Sequence, residues 1–561
     1  MRTQVVRCQV DLLRCADTLS SPNATTLAGI ADSPANPSEA DQATVLLDGE
    51  LYNWRELSRE LGLTRHENST AGQLEVINEL VRRHGATGLS RLKGMFAVAV
   101  AGSASVILGR DRLGIKPLFY ATLGSGETVF GSELKTLLAH PSVAVDLDSD
   151  ALDEIAVFGY INSPSRTPFR AIRQVPPGCA LEISPNRSVL SCYWQLPPAF
   201  ETARTETKAL AESAQLLTRV LRESLAAMMY YDSTEKGFCL SGGIDSSLLL
   251  ALSLEVGDSP PTTFTLADSR DSADLIAARS VARAAGAEHH EFPVSLHDLL
   301  RELPLFIRQN ECPVGSGAFD QYGGVACQML SRRVSEYVSV AFTGDGADVL
   351  LGGCYWPHTH PLGFADGLRE RAEKLDPSST VRAQVRAAFP EPEDENEYRL
   401  AVFDLLMQGG LANHLLWSTD RSSSAYELQM RPAYLFEDAA EAALKLPVGL
   451  KANRTETKRA LRAAAAPLFL ALGIESCLVR PKLGLPAAVA NVAVEFEDFA
   501  TRLVPADHVG NHPWPRHVHS PVDAVMFDLF QLIMVRNRGV IPGSLDLREL
   551  YESGAYADLY R

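Results

Sequence analysis

The clearest chemical signal in the sequence is the segment CLSGGIDSS at residues 239–247. Two adjacent glycines let backbone amides approach a ligand closely, and the helix predicted to follow points its N–H groups and positive dipole end at the same place. The serines add hydroxyl donors, so the segment predicts a phosphate-binding loop. Asp245 would repel a phosphate unless a cation lay between them, and it therefore predicts bound Mg²⁺.

Two further segments contain residues suited to the same chemistry. AFTGDGADVLLGG at residues 341–353 follows an apolar run and contains Asp345 and Asp348, of which Asp348 is a candidate second Mg²⁺ ligand. LVRPKLGLP at residues 478–486 holds Lys482 between a proline and a glycine. A lysine held in this way could neutralise charge that develops in a transition state.

The surrounding pattern predicts how these segments are positioned. Short apolar runs alternate with helical periodicity between residues 236 and 342, which is typical of repeated βαβ units, a parallel sheet and helices on both faces. Ligands collect at the carboxyl ends of the strands in such sheets. The predicted helices cover residues 246–256, 273–285, 296–309 and 321–334, and the chain beyond about residue 355 is predicted to be mostly helical.

The first part of the chain has a different pattern. Residues 43–135 are predicted to contain strands and helices, and a Pro-containing polar segment near 196–207 predicts a domain boundary. We therefore expect one domain over residues 1–198 and a second over residues 207–561.

Composition limits the function classes. The 561-residue chain has a net charge of −17, which disfavours nucleic acid and anionic membranes as partners. Its nine cysteines are scattered without a C-x-x-C pair, which predicts free thiols in a reducing cytoplasm and neither a zinc nor a dithiol site. The N-terminal residues do not resemble a signal peptide, and the most apolar run, residues 463–472, is too short to span a bilayer.

Together these motifs resemble the asparagine synthetase and β-lactam synthetase superfamily. SGGIDSS is similar to its pyrophosphate loop, TGDGADVLLGG to its second phosphate and Mg²⁺ loop, and RPKLGLP to the loop with the catalytic lysine. In the first half, DGELYNWREL, GMFAVAV and RDRLGIKPLFY resemble the family's glutaminase domain. The resemblance implies an α/β protein: an N-terminal Ntn-hydrolase-like αββα sandwich, then a parallel-sheet ATP-pyrophosphatase synthetase domain with a helical C-terminal part.

The resemblance also implies roles for individual residues. ATP and Mg²⁺ are the implied cofactors, and small carboxylic acids and amines are the implied partners. Asp245 and Asp348 would bind Mg²⁺, Lys482 would stabilise the reaction's charged states, and Asp345 would contact the acid or the amine. The implied nucleotide-binding residues are Leu240, Ser241, Gly242, Gly243, Asp245, Ser246, Leu266 and Gly344.

The N-terminal half departs from the family's glutaminase. The family's nucleophilic cysteine follows the initiator Met, where this chain has Arg2, and Cys8 lies in a sequence that does not match. The family's oxyanion-hole Asn corresponds to Asp48, whose carboxylate would repel an oxyanion, and an Asp that holds glutamine corresponds to Gln73. These differences predict a glutaminase domain that keeps its fold and has lost glutamine hydrolysis.

We therefore expect an AMP-forming amide ligase of specialised metabolism, such as antibiotic biosynthesis, that takes its amine from another source. An intramolecular cyclase of the β-lactam or lasso-peptide type and a non-catalytic scaffold are the alternatives. Asp345 replaces the Glu of asparagine synthetases and the Tyr of β-lactam synthetases, and Gln429 and Ser424 replace two further family residues. These replacements indicate that the acid is not simply aspartate. A homodimer is compatible with the sequence.

Overall fold

A computed structural model describes most of the chain. It covers residues 28–31, 43–63, 69–102, 105–185, 187–197, 206–257, 259–313, 321–390, 395–481, 484–543 and 545–560. The chain divides into two compact units. The N-terminal unit comprises Met1–Ala151, Ser163–Leu196 and Met534–Val540, and the C-terminal unit comprises Leu152–Asn162, Pro197–Ile533 and Ile541–Arg561.

The described part of the N-terminal unit contains two antiparallel sheets, with strand orders β1-β6-β5-β7 and β2-β3-β4-β8-β9. Strand β3 is buried along its whole length because its sequence, GMFAVAVA, is apolar on both faces. The core joins residues of both sheets, including Ala99 of β3 and Phe130 of β6. The strands are β1 (Ala28–Ala31), β2 (Thr44–Leu51), β3 (Gly94–Ala101), β4 (Val106–Arg110), β5 (Phe119–Thr122), β6 (Thr128–Gly131), β7 (Arg173–Gln174), β8 (Cys179–Ser184) and β9 (Arg187–Cys192).

Few helices accompany these sheets. They are α1 (Trp54–Leu61), α2 (Ser69–His84) and α3 (Leu134–Leu138), and α4 (Ser149–Phe158) begins in the N-terminal unit and ends in the other.

The C-terminal unit is built on a five-stranded parallel sheet with the order β12-β11-β10-β13-β14. Its strands are β10 (Lys236–Cys239), β11 (Thr262–Ala267), β12 (Glu288–Pro293), β13 (Val340–Thr343) and β14 (Gln429–Pro432). The α/β class and the parallel sheet expected from the sequence are confirmed. The fifth strand, β14, was not predicted, because it has only four residues and two of them, Arg431 and Pro432, break an apolar pattern.

Helices make up the rest of this unit. They are α5 (Glu206–Met229), α6 (Ile244–Val256), α7 (Ala273–Ala284), α8 (Leu296–Asn310), α9 (Gln321–Val334), α10 (Ala347–Leu350), α11 (Tyr355–Thr359), α12 (Pro361–Glu373), α13 (Thr380–Ala388), α14 (Glu395–Leu405), α15 (Leu416–Ser424), α16 (Glu437–Lys445), α17 (Val448–Lys451), α18 (Arg459–Leu472), α19 (Ser476–Val479), α20 (Ala490–Leu503), α21 (Ala506–Gly510), α22 (Pro521–Phe530) and α23 (Leu547–Glu552). A π-helical segment, Leu406–Leu415, joins α14 to α15.

Local sequence explains the helices nearest the phosphate-binding loop. Helix α6 is buried around its whole circumference from Ile244 to Ser253, as its apolar sequence requires. It begins two residues before the predicted start, because Gly243 has the extended backbone of an N-cap. This places the first turn of the helix, with Asp245, directly at the loop.

One expectation about the cysteines is wrong. Cys179 and Cys192 form a disulfide, because the antiparallel register of β8 and β9 places them opposite each other. That register depends on strand pairing, which the spacing of cysteines in a sequence does not reveal. The other described cysteines are free, and Cys8 lies outside the described residues.

The cytoplasmic location stays a prediction. Within the described part of the chain, helices lack the length and apolar character that a membrane crossing requires.

Candidate active site

Two loops meet at the carboxyl edge of the parallel sheet. Strands β10 and β13 are hydrogen-bonded neighbours, so the loop after β10 lies beside the loop after β13. The approach is close: a Cβ atom on Gly344 would lie 2.9 Å from the Cβ of Asp245. Gly242 has a φ of +67°, and a Cβ there would lie 2.6 Å from the backbone of Ala277 on α7. Both glycines are therefore required by the packing of the loops.

Serine hydroxyls hold the first loop in its shape. The Ser241 amide donates to Ser246 Oγ at 3.2 Å, and the two Oγ atoms are also 3.2 Å apart. The Gly243 amide donates to Ser241 Oγ at 3.3 Å. The loop thus presents hydroxyls and amides beside the N-terminus of the 13-residue helix α6, an arrangement that favours an anion.

Asp245 and Asp348 face each other across a cation that the sequence analysis missed. The ammonium group of Lys458 lies 2.6 Å and 2.7 Å from the two carboxylate oxygens of Asp245 and 2.6 Å from Oδ1 of Asp348. The lysine side chain is 3% exposed. Lys458 is the N-cap of α18 and has a φ of +55°, an uncommon value for a residue other than glycine.

The chemistry of this cluster fits the predicted metal. Carboxylate oxygens are the ligands that Mg²⁺ prefers, and the lysine shows that the two aspartates converge on a positive charge. Because the ammonium group lies between the carboxylates, Lys458 has to move before a metal ion can take the same position. The signal that could have pointed to a lysine was the need for a positive charge beside the two predicted metal-binding carboxylates.

Asp345 is fixed by two threonines. Its Oδ2 accepts hydrogen bonds from Thr343 Oγ1 at 2.8 Å and from Thr419 Oγ1 on α15 at 3.1 Å. The carboxylate is therefore oriented before any ligand binds. Lys482 lies outside the described residues. Arg480, two residues before Lys482, donates a hydrogen bond to the carbonyl oxygen of Ser241 at 3.0 Å. Arg480 therefore lies against the first loop.

One cavity of about 340 Å³ is lined by Asp345, Lys458, Arg480 and the residues of both loops given next. Nine of the sequence-predicted residues line it: Leu240, Ser241, Gly243, Asp245, Ser246, Leu266, Gly344, Asp345 and Asp348. Gly242 belongs to the same loop but is not part of the lining. The structure thus brings together the two loops that the sequence separates by about a hundred residues.

Comparisons with known proteins agree with this geometry. Residues 25–194 match a glutamine amidotransferase domain, and residues 216–512, more than half of the chain, match the asparagine synthase family. The chain belongs to the asparagine synthase family. It is an asparagine synthetase-like, AMP-forming carbon–nitrogen ligase, and its family uses ATP.

Several relatives in the family span most of the chain. Asparagine synthetase (glutamine-hydrolyzing) 1 of Bacillus subtilis is 25% identical to this chain, over 79% of this chain and 76% of its own length. Asparagine synthetase (glutamine-hydrolyzing) 3 of the same organism is 27% identical, over 76% of this chain and 73% of its own length. A Mycobacterium tuberculosis protein, named only provisionally as an asparagine synthetase, is 28% identical over 81% of this chain and 76% of its own. The allosteric regulatory enzyme of purine biosynthesis aligns at 16% identity over 46% of this chain and 61% of its own, but the TM-score of 0.20 supports no inference.

Within the matched amidotransferase domain, two of the divergent residues have structural partners. Asp48 on β2 forms an ion pair with the buried Lys116, with 3.5 Å between Oδ1 and Nζ. Gln73 on α2 is buried, and its Oε1 accepts a hydrogen bond from the Leu51 amide at 2.8 Å. Arg2 and Cys8 lie outside the described residues.

A second titratable cluster in the synthetase unit lies apart from the cavity lining. Asp528 accepts hydrogen bonds from Nε2 of His508 and of His512 and from the hydroxyls of Tyr551 and Tyr560. A histidine that binds a metal through one nitrogen normally donates a hydrogen bond from the other. His512 Nδ1 instead accepts from a backbone amide at 3.1 Å, so the ring keeps its proton on Nε2. The geometry therefore favours a hydrogen-bond network over a metal site.

Proposed function

We propose that this family member activates a carboxylic acid as its acyl-adenylate and transfers the acyl group to an amine that its own glutaminase domain does not supply. The observation that supports the proposal is that the SGGIDSS loop, which contains Asp245, lies beside Asp348 at one cavity. This arrangement provides an anion site and a cation site side by side.

The first step forms the adenylate. An oxygen of the substrate carboxylate attacks the α-phosphorus of ATP, the bond from that phosphorus to the bridging oxygen breaks, and pyrophosphate leaves. The groups that would bind the pyrophosphate are the hydroxyls and amides of Ser241, Gly243 and Ser246. Asp245 and Asp348 would hold Mg²⁺, which when bound neutralises charge on the phosphates.

The remaining cavity residues would position the other groups. Leu240, Leu266 and Gly344 would surround the adenosine. Lys458, released from the two aspartates, would interact with phosphate oxygens, and Lys482 would stabilise the charge of the transition states. These assignments use the side chains for binding and charge compensation, which are large contributions to phosphoryl and acyl transfer.

The second step forms the amide. The amine nitrogen attacks the acyl carbon, the carbon–oxygen bond to AMP breaks, and the amine loses a proton. Asp345 is the proposed contact for the acid or the amine, because its carboxylate lines the cavity and its orientation is fixed by Thr343 and Thr419.

The proposed source of the amine is based on two side chains of the N-terminal domain. The Asp48 carboxylate is paired with Lys116 and the Gln73 amide caps the Leu51 N–H, so both side chains serve the domain's own structure. We infer that the domain packs without hydrolysing glutamine and that the enzyme takes free ammonia or another amine in the cytoplasm.

Pyrophosphate exchange tests the proposed activity. The full chain, incubated with Mg²⁺, ATP, labelled pyrophosphate and a panel of carboxylic acids, is expected to form labelled ATP only with acids it activates. Asp245→Asn is the matched variant and should abolish exchange. Exchange without any acid, or undiminished exchange in the variant, would contradict the proposal. Product formation with and without an added amine then separates intermolecular ligation from cyclisation.

A further inference from the structure

The cavity is lined by more than the phosphate-facing loops. We call the part that the residues below define the acyl chamber. Its walls come from β10, α9, the π-helical segment, α15 and β14, and the residues that define it are Cys239, Cys327, Leu330, Leu415, Ser418 and Met430. Five of these six side chains are apolar or thiols.

Among the described lining residues, the positive charges contact the phosphate-facing loops or the segment around Lys458. Among the described lining residues, the lysines and arginines are Lys458, Arg462 and Arg480. Lys458 contacts the two aspartates, Arg480 binds the Ser241 carbonyl, and Arg462 donates to the carbonyl of Thr457, next to Lys458 in the chain. The acyl chamber has no lysine or arginine among these residues.

The histidine and the two thiols at the chamber are uncharged at neutral pH. Burial lowers the pKa of His414, whose ring stacks on Tyr160, to about 4. Burial, reinforced by the Asp345 carboxylate, raises the pKa of Cys327 to about 12, and burial also raises the pKa of Cys239. An imidazole and two thiols in these states offer no positive charge to an anion.

The hydroxyl oxygen of Ser418 does not open onto the chamber. Ser418 Oγ is shielded from solvent and finds no hydrogen-bond partner among the described residues. It faces α9, since a Cβ on Gly324 would lie 3.2 Å from it. The surface that the chamber offers to a ligand is therefore apolar side chains and protonated thiols.

We infer that the acid substrate is a monocarboxylic acid whose uncharged body occupies the acyl chamber. This inference rests on the proposed adenylation. A second carboxylate in the chamber would lose its hydration, find no cation among the described lining residues and lie near Asp345. Burying such an unpaired charge is strongly unfavourable. Aspartate, which has a second carboxylate, therefore does not match the chamber.

Two stable mimics of the acyl-adenylate test the inference without requiring turnover. They are 5′-O-sulfamoyladenosines acylated with 3-carbamoylpropanoyl or with 3-carboxypropanoyl, which have nearly the same shape and differ in one charge. Calorimetric titration of the full chain should show at least tenfold tighter binding of the amide, equivalent to about 1.4 kcal/mol. Equal affinity, or tighter binding of the carboxylate, would overturn the inference and leave the proposed function intact.

The unacylated parent compound separates the two possible failures. If the parent binds and neither acyl compound does, the chamber does not accept an acyl body and the inference is wrong. If neither ATP nor any of the adenosine compounds binds, the proposed function itself is refuted, and the inference falls with it.

A charge placed in the chamber provides a second test. Leu415→Lys should reduce or reverse the preference for the amide, whereas the uncharged Leu415→Met should preserve it. Asp345→Asn should reduce the preference severalfold by removing a negative charge near the acyl body. Unchanged preference in both charge variants, with the proteins folded by circular dichroism, would show that the acyl group binds elsewhere.

Discussion

Replacing Lys458 by methionine tests the cation at the centre of the site. The substitution keeps the length and apolar stem of the side chain and removes the ammonium group. That group is buried and lies within 2.7 Å of three carboxylate oxygens of Asp245 and Asp348. Its loss leaves two carboxylates close together without a compensating charge.

The structure sets the size of the effect. Removing one partner of a buried ion pair typically costs about 3–5 kcal/mol. The C-terminal unit is large, so each kcal/mol corresponds to about 1–2 °C in Tm. We therefore expect Lys458→Met to lower the Tm of this unit by about 5 °C in buffer that contains EDTA. In the wild-type protein, the Lys458 ammonium group compensates the negative charge of the two carboxylates.

Magnesium should distinguish the variant from wild type. In Lys458→Met, Mg²⁺ without nucleotide can replace the missing ammonium group, and at a hundredfold excess over its Kd it would restore about 2.7 kcal/mol. In wild type the same Mg²⁺ should change the Tm little, because Lys458 occupies the position. Differential scanning calorimetry with and without Mg²⁺ measures both effects.

A surface lysine supplies the control. Lys445 pairs with Glu441 at 3.2 Å on α16, where both side chains are partly exposed, and Lys445→Met should change stability by less than about 1 kcal/mol. If Lys458→Met is as stable as this control, or if Mg²⁺ raises the Tm of wild type as much as that of the variant, the assignment of Lys458 as the compensating cation is refuted.

Three further predictions follow from the other sites. In steady-state kinetics, Asp345→Asn should raise the KM for the acid or amine at least tenfold and leave the KM for ATP within twofold of wild type. A raised KM for ATP with an unchanged KM for the acid and amine would instead place Asp345 at the nucleotide. Burial would raise the pKa of Asp528, but hydrogen bonds from His508, His512 and the two tyrosines outweigh it and lower this pKa to about 2. The ionised carboxylate therefore contributes about 2 kcal/mol to the free energy of unfolding above pH 4, and this contribution should be lost as the pH falls to 2. Urea unfolding should show this loss in wild type and not in Asp528→Asn, and parallel curves would contradict it. Mass spectrometry of the products should show amide formation with ammonium as the amine source and none with glutamine. Release of glutamate from glutamine would disprove the loss of glutaminase activity.

The parallel sheet was largely predictable because its information is local. Strands β10, β11 and β13 lie in short, mostly apolar runs, and α6 is largely apolar. Helices α7 to α9 have helical periodicity, and α8 begins with a capping box at Ser295 and Asp298. Strand β14 was missed because it is defined by pairing with β13, with Arg431 and Pro432 in its sequence.

The phosphate loop was predictable for a related reason. Its glycines, serines and aspartate form a chemical pattern within nine consecutive residues. The role of Lys458 was not predictable, because its partner Asp245 is 213 residues away in the sequence and only the fold brings the two side chains together. The disulfide between Cys179 and Cys192 likewise depends on the register of two strands.

Isotope transfer tests the central claim most directly. A substrate acid identified by pyrophosphate exchange is labelled with ¹⁸O in its carboxylate and incubated with the full chain, Mg²⁺, ATP and an amine. The account predicts that one ¹⁸O atom appears in AMP, since the carboxylate oxygen attacks the α-phosphorus and leaves with it. Label in inorganic phosphate, with ADP as the nucleotide product, would contradict an acyl-adenylate and the arrangement of the site described above.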